Sequence, residues 1–476
     1  MSRIAFGTDG WRAERGAGFD ASNLARVAVA VARVWRDEAP ADDRPVLVGG
    51  DTRTGSAEGV RLVAGVLAGA GFTVMRVEGP VTTPNMSHAV VHGGARGALV
   101  VTASHNSASW NGLKIKQDFG GSAEPSFTAR VEEAVAEAPT VRPVDPDGVP
   151  VLDPRPAYLE ALAGLVDLER IRQALVRPEE PLRVAFDAMH GASAGYLERL
   201  LGPSSLVSLR AAPDPAFGGV HPEPIAQHLG PLRAVLEAWV EPGIGLACDG
   251  DGDRIGAVAE GGAFVNAHLI MALLTRHLLE VRRWSGDIVK TLSTSVIIDR
   301  LARQYGRSLH VVPIGFKYVA AEMRARHVML GGEESGGIGF SCHLPERDGI
   351  LSALLLLEAC AYAGTGMRGL IASLREVAGA HAYDRVDLPL MDPPLVRAAI
   401  EGLHRQPPAT LIGRPVASWG AEDGLKATLE DGSWLLLRLS GTEPLLRLYA
   451  EAASDADVAL LLAEGRRLSG AASGEA

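Results

Sequence analysis

A chain of 476 residues is longer than one hydrophobic core supports, since single cores rarely grow past roughly 250–300 residues, so several domains are expected. Its 47% hydrophobic and 22% charged residues are the composition of a globular protein. Its 46 basic and 57 acidic residues give a net charge of −11, which argues against nucleic acid as the main partner; an anionic ligand would have to be held by local, specific basic groups.

In chain order, Phe6-Gly-Thr-Asp-Gly-Trp-Arg12 is a glycine-bracketed turn carrying an acid and an arginine. Leu24, Val27, Val31 and Val34 recur at helical spacing, with Asp20 or Ser22 available as N-cap. Val46-Leu-Val reads as a strand ending in Gly-Gly-Asp-Thr-Arg53. A second helix carries Val60, Val63 and Leu67, stops near Gly71 and gives way to Phe72–Val77. Leu99–Thr102 is a short apolar, β-branched run after Gly97 and reads as a buried strand. Ser104 follows just past its carboxyl end, where open α/β sheets place their chemistry. His105, Asn106, Asn111 and Lys114 are expected within the same loop, which is dense in donors and cations. Helix and strand alternate at βαβ spacing, so the class is α/β.

The proline-rich stretch Pro139–Pro156 reads as a domain boundary. The strand-then-loop pattern returns at Arg183–Gly191 and Ile244–Asp249, and again at Ile288–Ser295, Leu309–Lys317 and Val328–Ser335. From about Tyr383 the pattern changes to paired strands, Leu435–Arg438 and Leu446–Ala450, then a helix, Val458–Leu468. Four domains are expected: 1–150, 151–257 and 258–380 as related α/β units with mixed sheets, and 381–476 as a smaller α+β unit.

Three loops answer Ser104. Asp249-Gly-Asp-Gly-Asp253-Arg254 places three carboxylates at alternate positions, able to fold around one hard cation. Glu260 stands twelfth, as in an EF-hand, but Arg254 occupies the obligatory glycine position and the flanks read as strands. An all-oxygen site with three protein carboxylates suits Mg²⁺, which keeps places for water and phosphate oxygen. Gly331-Gly-Glu333-Glu-Ser335-Gly-Gly337 offers a carboxylate and a hydroxyl to vicinal sugar hydroxyls; a glycine-rich turn capping a helix fits it equally. Arg438-Leu-Ser440-Gly441-Thr442-Glu-Pro-Leu-Leu-Arg447 offers two guanidiniums, two hydroxyls and turn N–H groups as a phosphate cradle, or is an exposed hairpin with rim charges.

Together the four loops are the parts for phosphoryl transfer to or from a sugar phosphate. The ordered motifs FGTDGWR, TASHN with NGLKIK, DGDGDR, GEESG and RLSGTEP resemble those of the α-D-phosphohexomutase family, the phosphoglucomutases and phosphomannomutases, over nearly the whole chain. That resemblance implies four domains around a central cleft and Ser104 carried as phosphoserine. It implies a hexose 1,6-bisphosphate intermediate, and Mg²⁺ on Asp249, Asp251, Asp253 and a phosphoserine oxygen. Arg254 and Lys114 would lie beside the transferring group and Arg12 near the phosphoserine loop. His105 and Lys114 are the residues suited to general acid–base work. Ser107 stands where many members have proline. Gly337 stands where mannose-accepting bacterial members often have histidine, while Gly315-Phe-Lys317 is similar to the Gly-Trp-Lys of glucose-specific members. The expected activity is therefore interconversion of glucose 1-phosphate and glucose 6-phosphate, with glucose 1,6-bisphosphate as activator. Phosphomannomutase and phosphoglucosamine mutase are the alternatives, and a non-catalytic sugar-phosphate-binding paralogue is a distant one. Three scattered cysteines and an N-terminus without an apolar run fit a cytoplasmic protein; a monomer or homodimer is expected. Ile350–Ala363 is too short to span a membrane and reads as a buried helix.

Overall fold

Asp20 caps the first long helix, Ala21–Glu38, its carboxylate accepting from the Asn23 N–H, and Leu24, Val27, Val31 and Val34 form the buried stripe their spacing predicts. The computed structural model describes residues 4–137, 142–440 and 445–470. The helix packs on a six-stranded sheet ordered Trp11–Glu14, Trp110–Gln117, Gly97–Val101, Val46–Gly50, Val74–Val77, Val151–Leu152. Val46–Gly50 pairs parallel with both its neighbours, whereas Trp110–Gln117 runs antiparallel to Gly97–Val101. Asn111 and Lys114 therefore sit on a strand, not in the loop expected for them. Leu113 and Ile115 join the domain core while Lys114 and Lys116 are buried on the other face, and this period-two alternation makes the segment a strand.

The second sheet is ordered Phe264–Val265, Ile255–Ala259, Gly243–Cys248, Arg183–Asp187, Val207–Leu209. It runs past residue 257 because Ile255–Ala259 must complete its hairpin with Phe264–Val265. The third is ordered Leu309–Val312, Asp287–Thr291, Val328–Gly332, Ile338–Phe340. In it Gly331 and Gly332 end a strand and Glu333–Gly337 is the turn of an antiparallel hairpin rather than a helix cap. The fourth has six antiparallel strands, Ala382–Pro389, Leu445–Ala452, Trp434–Leu439, Leu425–Leu429, Arg414–Gly420 and Thr410–Leu411, packed by helix Asp455–Ser469.

Helix Gly349–Ala363 is buried from Gly349 to Ala361 and serves the second and third sheets at once, so these share one core with Tyr158, Phe186, Leu246 and Leu354 in it. Each fully buried leucine there contributes about 1.5–3 kcal/mol. The one acid on that helix, Glu358, is buried but satisfied: it accepts from the Asp167 N–H at 2.6 Å and Arg282 Nη1 at 2.9 Å and meets His277 Nε2 at 2.7 Å. Among the described residues no single helix is long and apolar enough to cross a membrane.

Candidate active site

Strand Gly97–Val101 delivers the chain to Ser104, whose φ of +53° lies in the left-handed region. That conformation costs of order 1–3 kcal/mol and needs outside support. The support is Arg53, a residue the sequence motifs did not single out. Its Nε donates to Asp51 Oδ2 at 2.9 Å, Nη1 to the carbonyls of Ser107 at 2.9 Å and Trp110 at 3.0 Å, and Nη2 to those of Ser104 at 2.5 Å and Asn106 at 3.0 Å. All of its side-chain donors are spent on one loop and its anchor. Phe217, from the second α/β unit, covers the guanidinium at 4.7 Å. The stiffness that Ser107 cannot give the loop comes from Arg53.

The acidic loop Asp249–Asp253 joins strands Gly243–Cys248 and Ile255–Ala259 and meets the serine directly: Ser104 Oγ donates to Asp249 Oδ2 at 2.9 Å. Asp251 is gripped by the start of helix Thr83–His92, where Thr83 Oγ1 donates to its carboxylate at 2.5 Å and the Thr83 N–H to its carbonyl at 2.9 Å. Lys114 Nζ lies 2.7 Å from each of Asp9 Oδ2, Asp251 Oδ2 and Asp253 Oδ2. Burial alone would lower its pKa, but Asp251, Asp253 and Asp9 overcome that and hold it well above the ordinary range, so it is a fixed cation here. Burial, reinforced by Asp253 and Asp251, pushes Asp249 well above the usual carboxylate range.

One oxygen from each of Asp249, Asp251 and Asp253 lies within 4.8 Å of the others. Asp251 Oδ1 and Asp253 Oδ1 are buried with no hydrogen-bond partner. Orphaned carboxylate oxygens in a dry site fit a hard divalent ion better than any protein donor nearby. Glu260 is turned elsewhere, accepting from the N–H groups of Gly243 and Arg368, both at 2.9 Å, so the EF-hand spacing is coincidental.

A second buried knot lies beside this loop. Arg347 Nη2 donates to Asp253 Oδ2 at 2.7 Å and to Asp9 Oδ2, and Nη1 stands 3.5 Å from Glu333 Oε2. A Cβ on Gly337 would come within 2.2 Å of Arg347 Cδ; the glycine at this position is what admits the arginine. The metal and sugar loops are stitched together at the main chain, the Ile255 N–H donating to the Gly336 carbonyl at 3.0 Å. Burial, opposed by Arg347 and reinforced by Glu334, pushes Glu333 up to about 7 from an ordinary 4.5. Such a raised acid stabilises the fold below its unfolded pKa, and that contribution is lost as pH rises through the folded value. The melting temperature of the ligand-free protein should therefore fall less steeply from pH 5 to pH 8 in Glu333→Gln than in the parent chain. Parallel curves in scanning calorimetry would show that Glu333 ionises normally.

Arg12 Nη1 donates to Asn106 Oδ1 at 2.7 Å. Arg254 Nε stands 4.0 Å from both Asp249 Oδ2 and Asp253 Oδ1. Burial, then the positive field of Arg254, Arg12, Lys114 and Arg347, holds His105 well below its usual range, so the ring is neutral. Its Nδ1 is buried without a hydrogen-bond partner. Ser104, His105, Lys114, Arg254, Arg12, Glu333 and the aspartates thus form one contiguous cluster. Ser335 is half-buried in the turn after Glu333. Lys317 and the Thr8–Gly10 turn line one small cavity. Arg438 and Arg447 sit opposite each other on the fourth sheet and make no ion pair with the Ser104 cluster among the described residues. Ser440 lies two residues past Arg438, its N–H donating to the Leu445 carbonyl at 2.9 Å; Gly441 and Thr442 lie outside the described residues.

A serine hydroxyl bonded to a carboxylate, beside acids fit for a hard cation, suits the moving of phosphoryl groups. Carried on three mixed α/β units with an antiparallel fourth, it is a site fit for a phosphotransferase. Residues 3–142, 156–262 and 266–377 match alpha/beta/alpha domains I, II and III of the phosphoglucomutase/phosphomannomutase family, and 391–468 match its C-terminal domain. The chain belongs to this family, the α-D-phosphohexomutases, and is a phosphohexomutase. A phosphoglucosamine mutase of Frankia alni is 32% identical over 466 residues, covering 96% of this chain and 95% of the relative. A phosphoglucomutase/phosphomannomutase of Thermococcus kodakarensis is 31% identical, covering 87% of each chain. The crystal structure of a candidate phosphomannomutase from Thermus thermophilus superposes with a TM-score of 0.85 at 35% identity, covering 98% of this chain and 99% of that one.

Proposed function

We propose that this phosphohexomutase interconverts glucose 1-phosphate and glucose 6-phosphate with Ser104 carried as phosphoserine. The observation that carries the reading is the buried Ser104 Oγ, held 2.9 Å from Asp249 Oδ2 on a strained, externally clamped loop. The phosphoryl group leaves Ser104 Oγ as its phosphorus bonds the free hydroxyl oxygen of a bound hexose phosphate. The hydroxyl proton goes to a nearby base, for which His105 is the candidate once the phosphate charges offset the cations around its ring, and the departing Ser104 Oγ takes a proton in exchange. The resulting 1,6-bisphosphate turns over in the site and returns its other phosphate to Ser104, and added glucose 1,6-bisphosphate activates by loading the serine. Asp249, Asp251, Asp253 and a phosphoserine oxygen would hold Mg²⁺, which supplies charge neutralisation at the transferring group. Lys114, Arg254 and Arg12 flank that group. Glu333 and Ser335 hydrogen-bond sugar hydroxyls, and Gly315 and Lys317 border them. Arg438, Ser440, Gly441, Thr442 and Arg447 grip the phosphate that does not react.

Intact mass before and after incubation with glucose 1,6-bisphosphate tests the covalent step: a gain of one phosphoryl group mapped to Ser104 supports it, and none overturns it. Glucose is favoured over mannose by Gly337 and by Gly315-Phe316-Lys317. A second reading, glucosamine phosphate, is favoured by the name of the Frankia alni relative. Comparing kcat/KM on glucose, glucosamine and mannose 1-phosphates decides among the three. We read the four sheets as four domains, divided near 150, after Val265 and near 380, in a cytoplasmic monomer or homodimer.

A mutase holds its substrate in two orientations, so one clamp must serve both. Arg438→Lys replaces a planar fork with a point charge and should weaken glucose 1-phosphate and glucose 6-phosphate alike, by about tenfold, with more bisphosphate escaping per turnover. A loss confined to one monophosphate would restrict the clamp to a single pose.

A further inference from the structure

Arg438 does not stand alone on its sheet. Its Nε donates at 2.9 Å to Oδ1 of Asp423, in the loop between strands Arg414–Gly420 and Leu425–Leu429. The other oxygen, Asp423 Oδ2, accepts at 2.8 Å from the N–H of Ile314, in the third unit. Ile314 immediately precedes Gly315 and helix Phe316–Ala325, and its side chain packs with Trp434, Leu436 and Tyr449 of the fourth sheet. Gly424, at φ +98°, brings the Asp423 loop against the Arg438 strand: a Cβ there would stand 2.6 Å from the Leu437 carbonyl and 3.1 Å from Arg438 Cβ. Beside this contact Lys426 Nζ donates to the Leu292 carbonyl at 2.6 Å while lying 4.1 Å over the Trp434 ring.

We propose that Asp423 is a positioning residue that fixes the direction of the Arg438 guanidinium and ties it to the seating of the fourth unit on the Ile314–Lys317 loop. This rests on the reading of Arg438 as the clamp for the non-reacting phosphate. The pairing uses Nε, which leaves the end-on pair of hydrogens, one on each Nη, pointing away from Asp423 as an edge that can take a phosphate bidentately. The chemistry also explains why a carboxylate is used. One amide or hydroxyl oxygen could take the Ile314 N–H, but only a carboxylate offers two equivalent oxygens to a main-chain donor and a guanidinium together. The clamp is then oriented only when the fourth unit is seated against the loop bearing Gly315 and Lys317, so phosphate grip and sugar-loop placement become one event.

The test is a double-mutant cycle of Asp423→Asn and Arg438→Lys in the full chain, reading KM and kcat for glucose 1-phosphate and glucose 6-phosphate and the melting temperature. Asp423→Asn keeps an oxygen for Ile314 but loses the charge facing Arg438. It is expected to raise KM for both monophosphates about tenfold, the loss of one charge-assisted hydrogen bond, with kcat changed less than about twofold. In the Arg438→Lys background it should add little, because it acts through the guanidinium. Asp423→Ser, whose single hydroxyl oxygen cannot serve Ile314 and Arg438 together, provides a second variant should the asparagine protein not fold, and carries the same expectation. Unchanged KM in both Asp423 variants, with Arg438→Lys impaired, overturns the proposal and leaves the clamp reading standing. So do fully additive losses, or a lowered melting temperature with KM unmoved. Unchanged KM in Arg438→Lys overturns the clamp reading itself.

Discussion

Ser104→Ala is expected to lower mutase turnover by at least about 10⁴-fold while affinity for glucose 6-phosphate stays within about threefold of the parent. On the proposed mechanism Ser104 contributes to bond-making, whereas ground-state affinity would come from Arg438 and Arg447 on a different sheet. The fold should tolerate the change. Ser104 Oγ makes one hydrogen bond, to Asp249, and its loop is held by main-chain carbonyls that alanine keeps. Losing one such bond costs about 1 kcal/mol. A coupled assay of turnover beside calorimetric titration with glucose 6-phosphate reads both quantities. Turnover near that of the parent would sink the phosphoserine mechanism.

Asp251→Asn is expected to weaken Mg²⁺ by roughly 100-fold and to collapse turnover with it, without unfolding the chain. The asparagine oxygen still accepts from Thr83, and the flanking strands keep their ladder. What is lost is one of the negative charges against which both Lys114 and the cation are balanced. A phosphoserine at 104 carries roughly −1.5 to −2 charges and would sit against Asp249, so the metal site also decides whether the phosphorylated state is tolerable. Activity against Mg²⁺ concentration, with direct Mg²⁺ titration, measures the effect. Unchanged Mg²⁺ dependence would place the metal elsewhere.

The parts of the fold and site that were legible in the sequence are those whose cause is local. Strand Gly97–Val101 and the strands around Asp249–Asp253 follow from short apolar runs, and the acidic triad from its own spacing. Ser104 followed from its place at a strand's end. Asn111 and Lys114 were misplaced because a glycine and an asparagine disguise the alternation in Trp110–Gln117, which shows only as Leu-Lys-Ile-Lys. What stayed hidden is tertiary. Asp9 and Arg347 meet across 338 residues of chain, and no local pattern pairs them. Two weak signals were present: the Glu346-Arg347-Asp348 charge run just before an apolar helix, and Asp51-Thr-Arg53 at a strand's carboxyl end. Asp423 gave no signal, because its partners lie 15 and 109 residues away.

The grip of Arg53 has an evolutionary side. It takes hold of carbonyl oxygens at 104, 106, 107 and 110, atoms that every amino acid supplies alike. The letters written at 107 and 110 are thereby relieved of keeping the loop in shape and are free to drift toward other duties, as the serine at 107 illustrates. The burden moves to one codon far upstream. Across relatives, position 53 should be frozen where Ser104 is kept, while positions 107 and 110, which it also embraces, vary around it.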